Sequence, residues 1–83
     1  MKIYEFKGNK NIIGPVIKKL RTQNKMSLAT VSKQMELRGV ITSPTTVSRI
    51  ENNLRFAADY EVLVLADIFK VSVDALYPKD ILN

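Results

Sequence analysis

The stretch Ser43-Pro44-Thr45-Thr46-Val47-Ser48-Arg49-Ile50-Glu51-Asn52-Asn53 decides the fold of this chain. Ser43 is a favourable N-cap and Pro44 suits the first helical position, so a helix is predicted to start here. At about 100° per residue, its inner side carries Val47, Ile50, Glu51 and Leu54. Its outer side carries short polar residues and one cation, namely Thr45, Ser48, Arg49 and Asn52. Such side chains can reach phosphate oxygens and base edges, whereas a helix buried in a core would present apolar residues there.

A second helical pattern precedes this one and ends at a glycine. Ser27 is predicted to cap it, and Gly39 marks its end. Its inner face is formed by Leu28, Val31, Ser32 and Met35. Val40-Ile41-Thr42 then form a connection that is longer than usual. Two short helices separated by a glycine-containing break have the layout of a helix-turn-helix that reads DNA.

Three further helices are predicted around this pair. The first begins near Pro15 and has an inner side formed by Ile13, Ile17, Leu20 and Arg21. Asp59 is predicted to cap a fourth helix, whose apolar stripe is Val62, Leu65, Ala66 and Phe69. Ser72 is predicted to cap a final short helix through Val73, Leu76 and Tyr77, which Pro78 ends. The sequence therefore predicts an all-α fold with five helices and the helix-turn-helix at helices 2 and 3.

The domain organisation is predicted to be simple, because 83 residues make one small domain with one modest core. We expect the DNA-binding domain to span residues 12–78, with a C-terminal tail over 79–83. Residues 1–11 form an N-terminal arm or short strand in this prediction; a basic arm on DNA, a strand and a frayed tail all fit the pattern. Docking of this segment is favoured by the close spacing of Tyr4 and Phe6.

Charge is distributed unevenly along the chain. Residues 1–55 hold eleven Lys or Arg against three Glu, a net charge of +8, whereas residues 56–83 hold two Lys against five acidic residues, a net charge of −3. The basic part contains the helix-turn-helix, as expected if that side faces a polyanion. Solvated charge that only keeps the protein soluble is the alternative. Within the basic part, Lys33, Arg38 and Arg55 are the predicted contacts to the DNA backbone.

Composition excludes several function classes. The chain has no Cys and no His, so neither a thiolate metal site nor the commonest general base is available. The acidic residues are scattered, with no convergent pair, so we expect no enzyme activity, no metal and no cofactor. The longest apolar stretches are far shorter than the roughly 20 residues that span a bilayer, and the N-terminus does not resemble a signal peptide. We therefore expect a cytoplasmic protein with no membrane partner.

Two charges are predicted on inner helix faces. Arg21 lies on the apolar side of helix 1 and Glu51 on that of helix 3, where neither should be left unpaired. We expect them to form a bidentate ion pair that fixes the tilt of helix 3 against helix 1. In the alternative, both side chains extend to solvent.

With these features the chain resembles the Cro/lambda-repressor-like helix-turn-helix family, the xenobiotic-response-element group of bacterial and phage regulators. The resemblance covers roughly Ile13 to Tyr77. It is carried by Ile13-Gly14 leading to Lys19-Leu20-Arg21, by Thr46-Val47-Ser48-Arg49-Ile50-Glu51-Asn52, and by Leu65-Ala66-Asp67-Ile68-Phe69-Lys70-Val71-Ser72-Val73-Asp74-Ala75-Leu76. It implies five helices, a buried Arg21–Glu51 pair, and base or phosphate contacts from Thr45, Thr46, Ser48, Arg49 and Asn52, with Thr46 added to the helical-wheel set by the resemblance alone. Ser43 completes the predicted DNA-binding set.

Two positions and one segment depart from the family pattern. Leu28 stands where members usually carry a phosphate-binding Gln. The segment from Met35 to Val47 is longer than the usual turn, so either helix 2 extends or Arg38 to Thr42 protrude as a loop that touches DNA backbone. Asn53 stands where a Gly often follows the recognition helix, and Asn tolerates the left-handed conformation.

Two functions from different classes follow from this sequence. The first is a sequence-specific regulator of transcription, a repressor that binds a pseudo-palindromic operator as a homodimer. A phage-type repressor, a restriction-control protein and the antitoxin of a toxin pair all fit. The second is a protein-interaction adaptor or antitoxin-type partner module that uses the same helices and does not touch DNA. The outer face of helix 3 separates them, because Arg49 and Asn52 suit base edges, whereas a partner-binding face more often shows exposed aromatics or Leu.

Overall fold

A computed structural model of the chain describes residues 5–82, which form a small helical domain. Its elements are α1 (Gly14–Gln23), α2 (Leu28–Leu37), α3 (Pro44–Glu51), α4 (Asp59–Phe69) and a 3₁₀-helix, η1 (Val73–Leu76). The all-α prediction is confirmed for the described residues, which include no strand. The prediction of five helices is met only in part, because the fifth element is a single 3₁₀ turn.

The fifth element is short because its neighbours leave little room. The chain enters η1 through Ser72, in extended conformation, and leaves it through Tyr77, also extended, just before Pro78. Pro disfavours helical geometry in the residue before it, so only four residues remain for a helix. Of the three predicted inner residues only Leu76 is buried, while Val73 and Tyr77 remain exposed.

Local side-chain caps start α2 and α3 at the predicted residues. The Ser27 hydroxyl accepts the Thr30 N–H at 3.0 Å, and the Ser43 hydroxyl accepts the Thr46 N–H at 3.2 Å. Each bond satisfies an N–H that the first helical turn leaves without a partner.

The prediction that Asp59 caps α4 is wrong. Ala58 occupies the N-cap position, and Asp59 is the first helical residue. The cap is instead supplied from inside the helix, because the Glu61 carboxylate accepts the Ala58 N–H at 2.7 Å. A carboxylate at the third helical position can reach back in this way, and it also lies favourably at the positive end of the helix dipole.

The connection between α2 and α3 spans residues 38–43. Gly39 adopts φ +91°, and the N–H groups of Gly39 and Val40 donate to the Glu36 and Met35 carbonyls at 2.9 and 3.0 Å. This pair of bonds is a Schellman motif, which ends α2 and requires a left-handed residue at Gly39. Val40 is buried against the core and Ile41 is exposed. Helix α2 therefore does not extend beyond the glycine, and the additional residues form a loop.

The core fixes the position of α3. Helix α3 packs against α1 and α2, and α4 packs against α1, α2 and η1. The buried apolar residues come from every helix, and they are Ile13, Ile17, Val31, Met35, Val40, Val47, Ile50, Val62, Leu65, Ala66, Phe69 and Leu76. Leu54, predicted on the inner side of the third helix, lies beyond its end and is exposed, because α3 stops at Glu51.

Within residues 5–82, no helix combines the length and apolar character needed to cross a bilayer. The start of the described chain is a tight turn at Lys7 and Gly8, closed by two hydrogen bonds between Phe6 and Asn9 of 2.9 Å each. Tyr4, on which part of the prediction for the N-terminal segment rests, lies outside the described residues.

Gly14 allows α1 and α3 to approach closely. A Cβ at this position would lie 2.3 Å from the Ile50 carbonyl oxygen and 3.0 Å from that of Glu51. Both obstacles are backbone atoms and cannot rotate away.

We therefore expect Gly14→Ala to lower the free energy of unfolding by about 3 kcal/mol, the upper end of the usual range for overpacking. Denaturant titration measures this loss. Gly8→Ala, where a Cβ meets open space but φ is +81°, is the control that shows the smaller effect of a strained backbone alone. Equal losses in the two variants would contradict a close α1–α3 contact.

Candidate nucleic-acid interface

The outer face of α3 is a short polar surface. Thr45, Arg49 and Asn52 are exposed and Ser48 is half-buried. The Asn52 amide nitrogen donates to the Ser48 carbonyl at 2.8 Å and lies 3.3 Å from the Ser48 hydroxyl, which orders both side chains. In the part of the chain that the structure describes, Arg49 has no ion pair. This face therefore presents one unpaired cation among hydroxyl and amide groups.

Ser43 and Thr46, also predicted as DNA contacts, are used in capping the same helix. The Ser43 hydroxyl accepts the Thr46 N–H, and the two hydroxyl oxygens lie 3.1 Å apart. Both residues are half-buried. Their direct role is to begin α3, and thereby to place Thr45 in its first exposed turn.

The three predicted backbone contacts have different environments. Lys33 is exposed on α2, and no ion pair of it is present among residues 5–82. Arg38 Nε donates to Asp67 Oδ2 at 2.6 Å, which joins the end of α2 to α4. Arg55 Nη1 contacts both carboxylate oxygens of Glu61, at 3.1 and 3.0 Å. Two of the three predicted cations, Arg38 and Arg55, therefore already form ion pairs with carboxylates of the protein.

The Arg55–Glu61 contact was not predicted. Glu61 is only 4% exposed, and its carboxylate also caps α4, so Arg55 balances a charge that would otherwise be buried alone. The sequence offers one signal for this contact, because Glu61 lies close to the start of a predicted helix and Arg55 lies a few residues before it.

Arg21 and Glu51 lie in contact where α1 crosses the end of α3. Arg21 Nε donates to Glu51 Oε2 at 2.6 Å and Nη2 donates to Oε1 at 3.1 Å, a bidentate arrangement. Arg21 Nη1 also donates to the Met26 carbonyl at 3.0 Å. The side chains are 15% and 3% exposed respectively. The pair therefore joins α3 to α1 through two parallel bonds.

The hydrogen bond to Glu51 raises the pKa of Arg21 above its ordinary value, an effect that desolvation by burial partly opposes. A raised pKa keeps the guanidinium charged, so the stability it contributes is present at neutral pH and would fade only as pH rises through that pKa. The tilt of α3 therefore does not depend on titration of Arg21 near neutrality.

An asparagine cluster around the end of α3 was also missed. Asn9, Asn11 and Asn53 link the segment before α1 to the residues after α3 through their side-chain amides. The signal that could have indicated it is the pair Asn52-Asn53 at a predicted helix end, together with two further Asn residues just before the predicted first helix.

These helices define a domain of the helix-turn-helix class, in which α2 and α3 pack together and α3 turns a polar face outward. The crystal structure of the DNA-binding domain of BldD is similar to this chain, with 27% sequence identity and a TM-score of 0.66 over 81% of this chain and 90% of that chain. The sequence matches no family model and no curated protein. The similarity supports a helix-turn-helix DNA-binding family, and the fold of this chain resembles a DNA-binding domain.

Proposed function

We propose that this protein binds double-stranded DNA sequence-specifically through the outer face of α3 and acts as a regulator of transcription. The observation that carries the proposal is the exposed, polar and singly cationic surface formed by Thr45, Ser48, Arg49 and Asn52. Arginine can bind the O6 and N7 atoms of guanine bidentately, and asparagine can bind adenine in the same way. The similarity to the DNA-binding domain of BldD supports the same conclusion.

The proposed interface assigns different tasks to the predicted residues. Arg49 and Asn52 read base edges, Thr45 and Ser48 contact bases or phosphates, and Lys33 contacts the backbone. Ser43 and Thr46 contribute by starting α3. We leave Arg38 and Arg55 out of the interface, because each already neutralises a carboxylate of the protein. Residues 12–78 are the proposed DNA-binding domain.

We further propose a homodimer on a pseudo-palindromic operator. A single α3 has eight residues and presents few side chains to base edges, whereas two copies related by a twofold axis read twice as many. The half-sites would then lie about 34–36 Å apart, one helical turn of DNA. Repression in the cytoplasm is the proposed outcome, because a domain that occupies its site excludes other proteins from it.

A second candidate function is the binding of a partner protein, such as a toxin, through the same fold. It is favoured by exposed apolar side chains that lie outside α3, above all Ile41, which is 96% exposed, and Leu37 and Leu63 on α2 and α4. Exposed apolar surface often marks protein contacts. This adaptor function predicts no selection of DNA sequence.

Selection of bound sequences from random duplex DNA, followed by footprinting of the winner, tests the proposed function. The expected result is one enriched sequence with twofold symmetry and a footprint covering two adjacent major grooves. Recovery of unrelated sequences, or no binding at low salt, would favour the adaptor.

Arg49→Ala and Lys33→Ala separate base reading from backbone binding. Arg49→Ala is expected to cost about 1–3 kcal/mol on the selected site and to flatten the preference at one or two base pairs. Lys33→Ala, the matched exposed cation on α2, is expected to weaken binding to all sequences alike. Binding measured on the selected site and on single-base variants gives both results. A uniform loss in both variants would assign Arg49 to phosphate instead of bases.

A further inference from the structure

The C-terminal end of α3 is held by side-chain amides from outside the helix. Asn11 Nδ2 donates to the Ile50 carbonyl and to the Arg55 carbonyl, at 2.9 Å each. Asn11 Oδ1 accepts the Gly14 N–H at 2.8 Å. One half-buried side chain thus connects the last turn of α3, the loop after it and the first turn of α1.

Asn53 supplies the second half of this connection. It follows the helix with φ +62°, and its Oδ1 accepts the N–H groups of Lys10 and Asn11 at 2.7 and 3.3 Å. Its Nδ2 donates to Asn9 Oδ1 at 2.9 Å. The backbone of residues 9–11 is therefore bound to Asn53, two residues after the end of α3.

The close approach at Gly14 leaves α3 little freedom to shift. The space beside Gly14 is too small for a Cβ because the Ile50 carbonyl lies there, and the Arg21–Glu51 pair fixes the next residue of α3 to the same α1. Sites that read bases need their side chains held within about 0.5 Å of the productive geometry.

We propose that Asn53, acting with Asn11, is a positioning residue that sets the angle at which α3 meets DNA and so determines sequence discrimination rather than affinity for random DNA. This inference rests on the proposed function. The amide groups of Asn53 are already used inside the protein, so its effect on DNA is exerted through the orientation of Arg49 and Asn52 on α3.

The variant Asn53→Gly tests this inference, because glycine accepts the left-handed conformation and removes only the side-chain contacts. The expected result is a fall of about fivefold in the ratio of affinities for the selected site and a single-base variant, the lower end of one bidentate base contact. Affinity for random duplex should be unchanged. Asn24→Gly is the matched control, since Asn24 caps the end of α1 and bonds to the Leu20 carbonyl.

Asn53→Asp provides the conservative rescue. It keeps an oxygen to accept the Lys10 and Asn11 N–H groups but loses the bond to Asn9 Oδ1, so discrimination should fall only about twofold, less than in the glycine variant, although the added negative charge lowers affinity for all DNA. If Asn53 had only a structural role, the Gly and Asp substitutions would change the melting temperature, but both variants would have the same ratio of affinities for the selected site and the single-base variant. All proteins are compared at a temperature at which they are folded.

Three outcomes overturn the inference. They are an unchanged ratio in Asn53→Gly, equal ratios in the Gly and Asp variants, and a proportional loss on specific and random DNA. If Asn53→Gly does not fold, Asn9→Ala is used in its place, because it removes the bond to Asn53 Nδ2. The ratio of affinities for the selected site and the single-base variant is then expected to fall about twofold. An unchanged ratio would again contradict the inference. If the wild-type protein itself shows no sequence preference, the proposed function is overturned together with the inference. If the wild-type protein does show a preference, the outcomes above overturn the inference alone.

Discussion

Arg21→Met is expected to lower the free energy of unfolding by about 3–5 kcal/mol, and so is Glu51→Leu. Removing one member of a buried ion pair leaves the other charge without a partner in a region of low dielectric. Such a loss is a large share of the roughly 5–15 kcal/mol available to a small domain. The double variant, with two apolar side chains facing each other, should recover much of it. Denaturant titration of the four proteins gives the coupling energy.

A second ion pair in the same molecule serves as the control. Arg38 and Asp67 also lie 2.6 Å apart, but the Asp67 side chain is 71% exposed, against 3% for Glu51. Asp67→Asn should therefore cost no more than about 1 kcal/mol, as exposed pairs do. Strictly additive losses in Arg21→Met and Glu51→Leu would show that the two charges contribute independently, and that α3 is oriented by packing of Val47 and Ile50 and by its other contacts without this ion pair.

The affinity for the selected DNA site is expected to fall about 250- to 1,000-fold for each bound protomer between 50 and 200 mM salt. Six exposed cations of the basic part have neither an ion pair nor a side-chain hydrogen bond among residues 5–82, and they are Lys10, Lys18, Lys19, Lys25, Lys33 and Arg49. If about four to six of them neutralise phosphates in each protomer, log K falls with log salt at a slope of roughly −4 to −5 per protomer. Fluorescence anisotropy at several salt concentrations measures this slope.

Single substitutions show which cations contribute to the slope. Lys33→Gln should reduce its magnitude by about 1 per protomer. Lys79→Gln, in the acidic part of the chain, should leave it unchanged and is the matched control. A wild-type slope near zero would argue against a phosphate-binding surface.

The parts of the fold that sequence predicted well are those fixed by local chemistry. Ser27 and Ser43 cap their helices through bonds to residues three positions later, and Gly39 ends α2 through a conformation that glycine adopts at low cost. Each of these interactions involves neighbours along the chain. The mistaken cap at Asp59 has the same origin, since a good capping residue was preferred to Ala58 without considering Glu61.

The interactions that sequence missed depend on distances between elements. Arg38 and Asp67 are 29 residues apart and Asn11 and Ile50 are 39 apart, and nothing in helical periodicity brings either pair together. Arg38 was therefore predicted as a DNA contact from its charge alone. Arg21 and Glu51 could be paired only because both charges fall on inner faces, where an unpaired charge is costly. The outer face of α3 was predicted as a surface, but which of its side chains touch bases stays a prediction.

Hydrogen bonds that do not involve the Ile41 side chain fix both ends of the loop between α2 and α3. The Schellman motif at Gly39 and Val40 ends α2, and the Ser43 hydroxyl caps the start of α3, while Ile41 is almost fully exposed. Because the sequence has no Cys, Ile41→Cys would introduce a unique thiol. A fluorophore attached there would lie two residues before the cap of α3, at a point where the side chain extends into solvent. This domain thus offers a natural attachment point for watching α3 approach a ligand in real time.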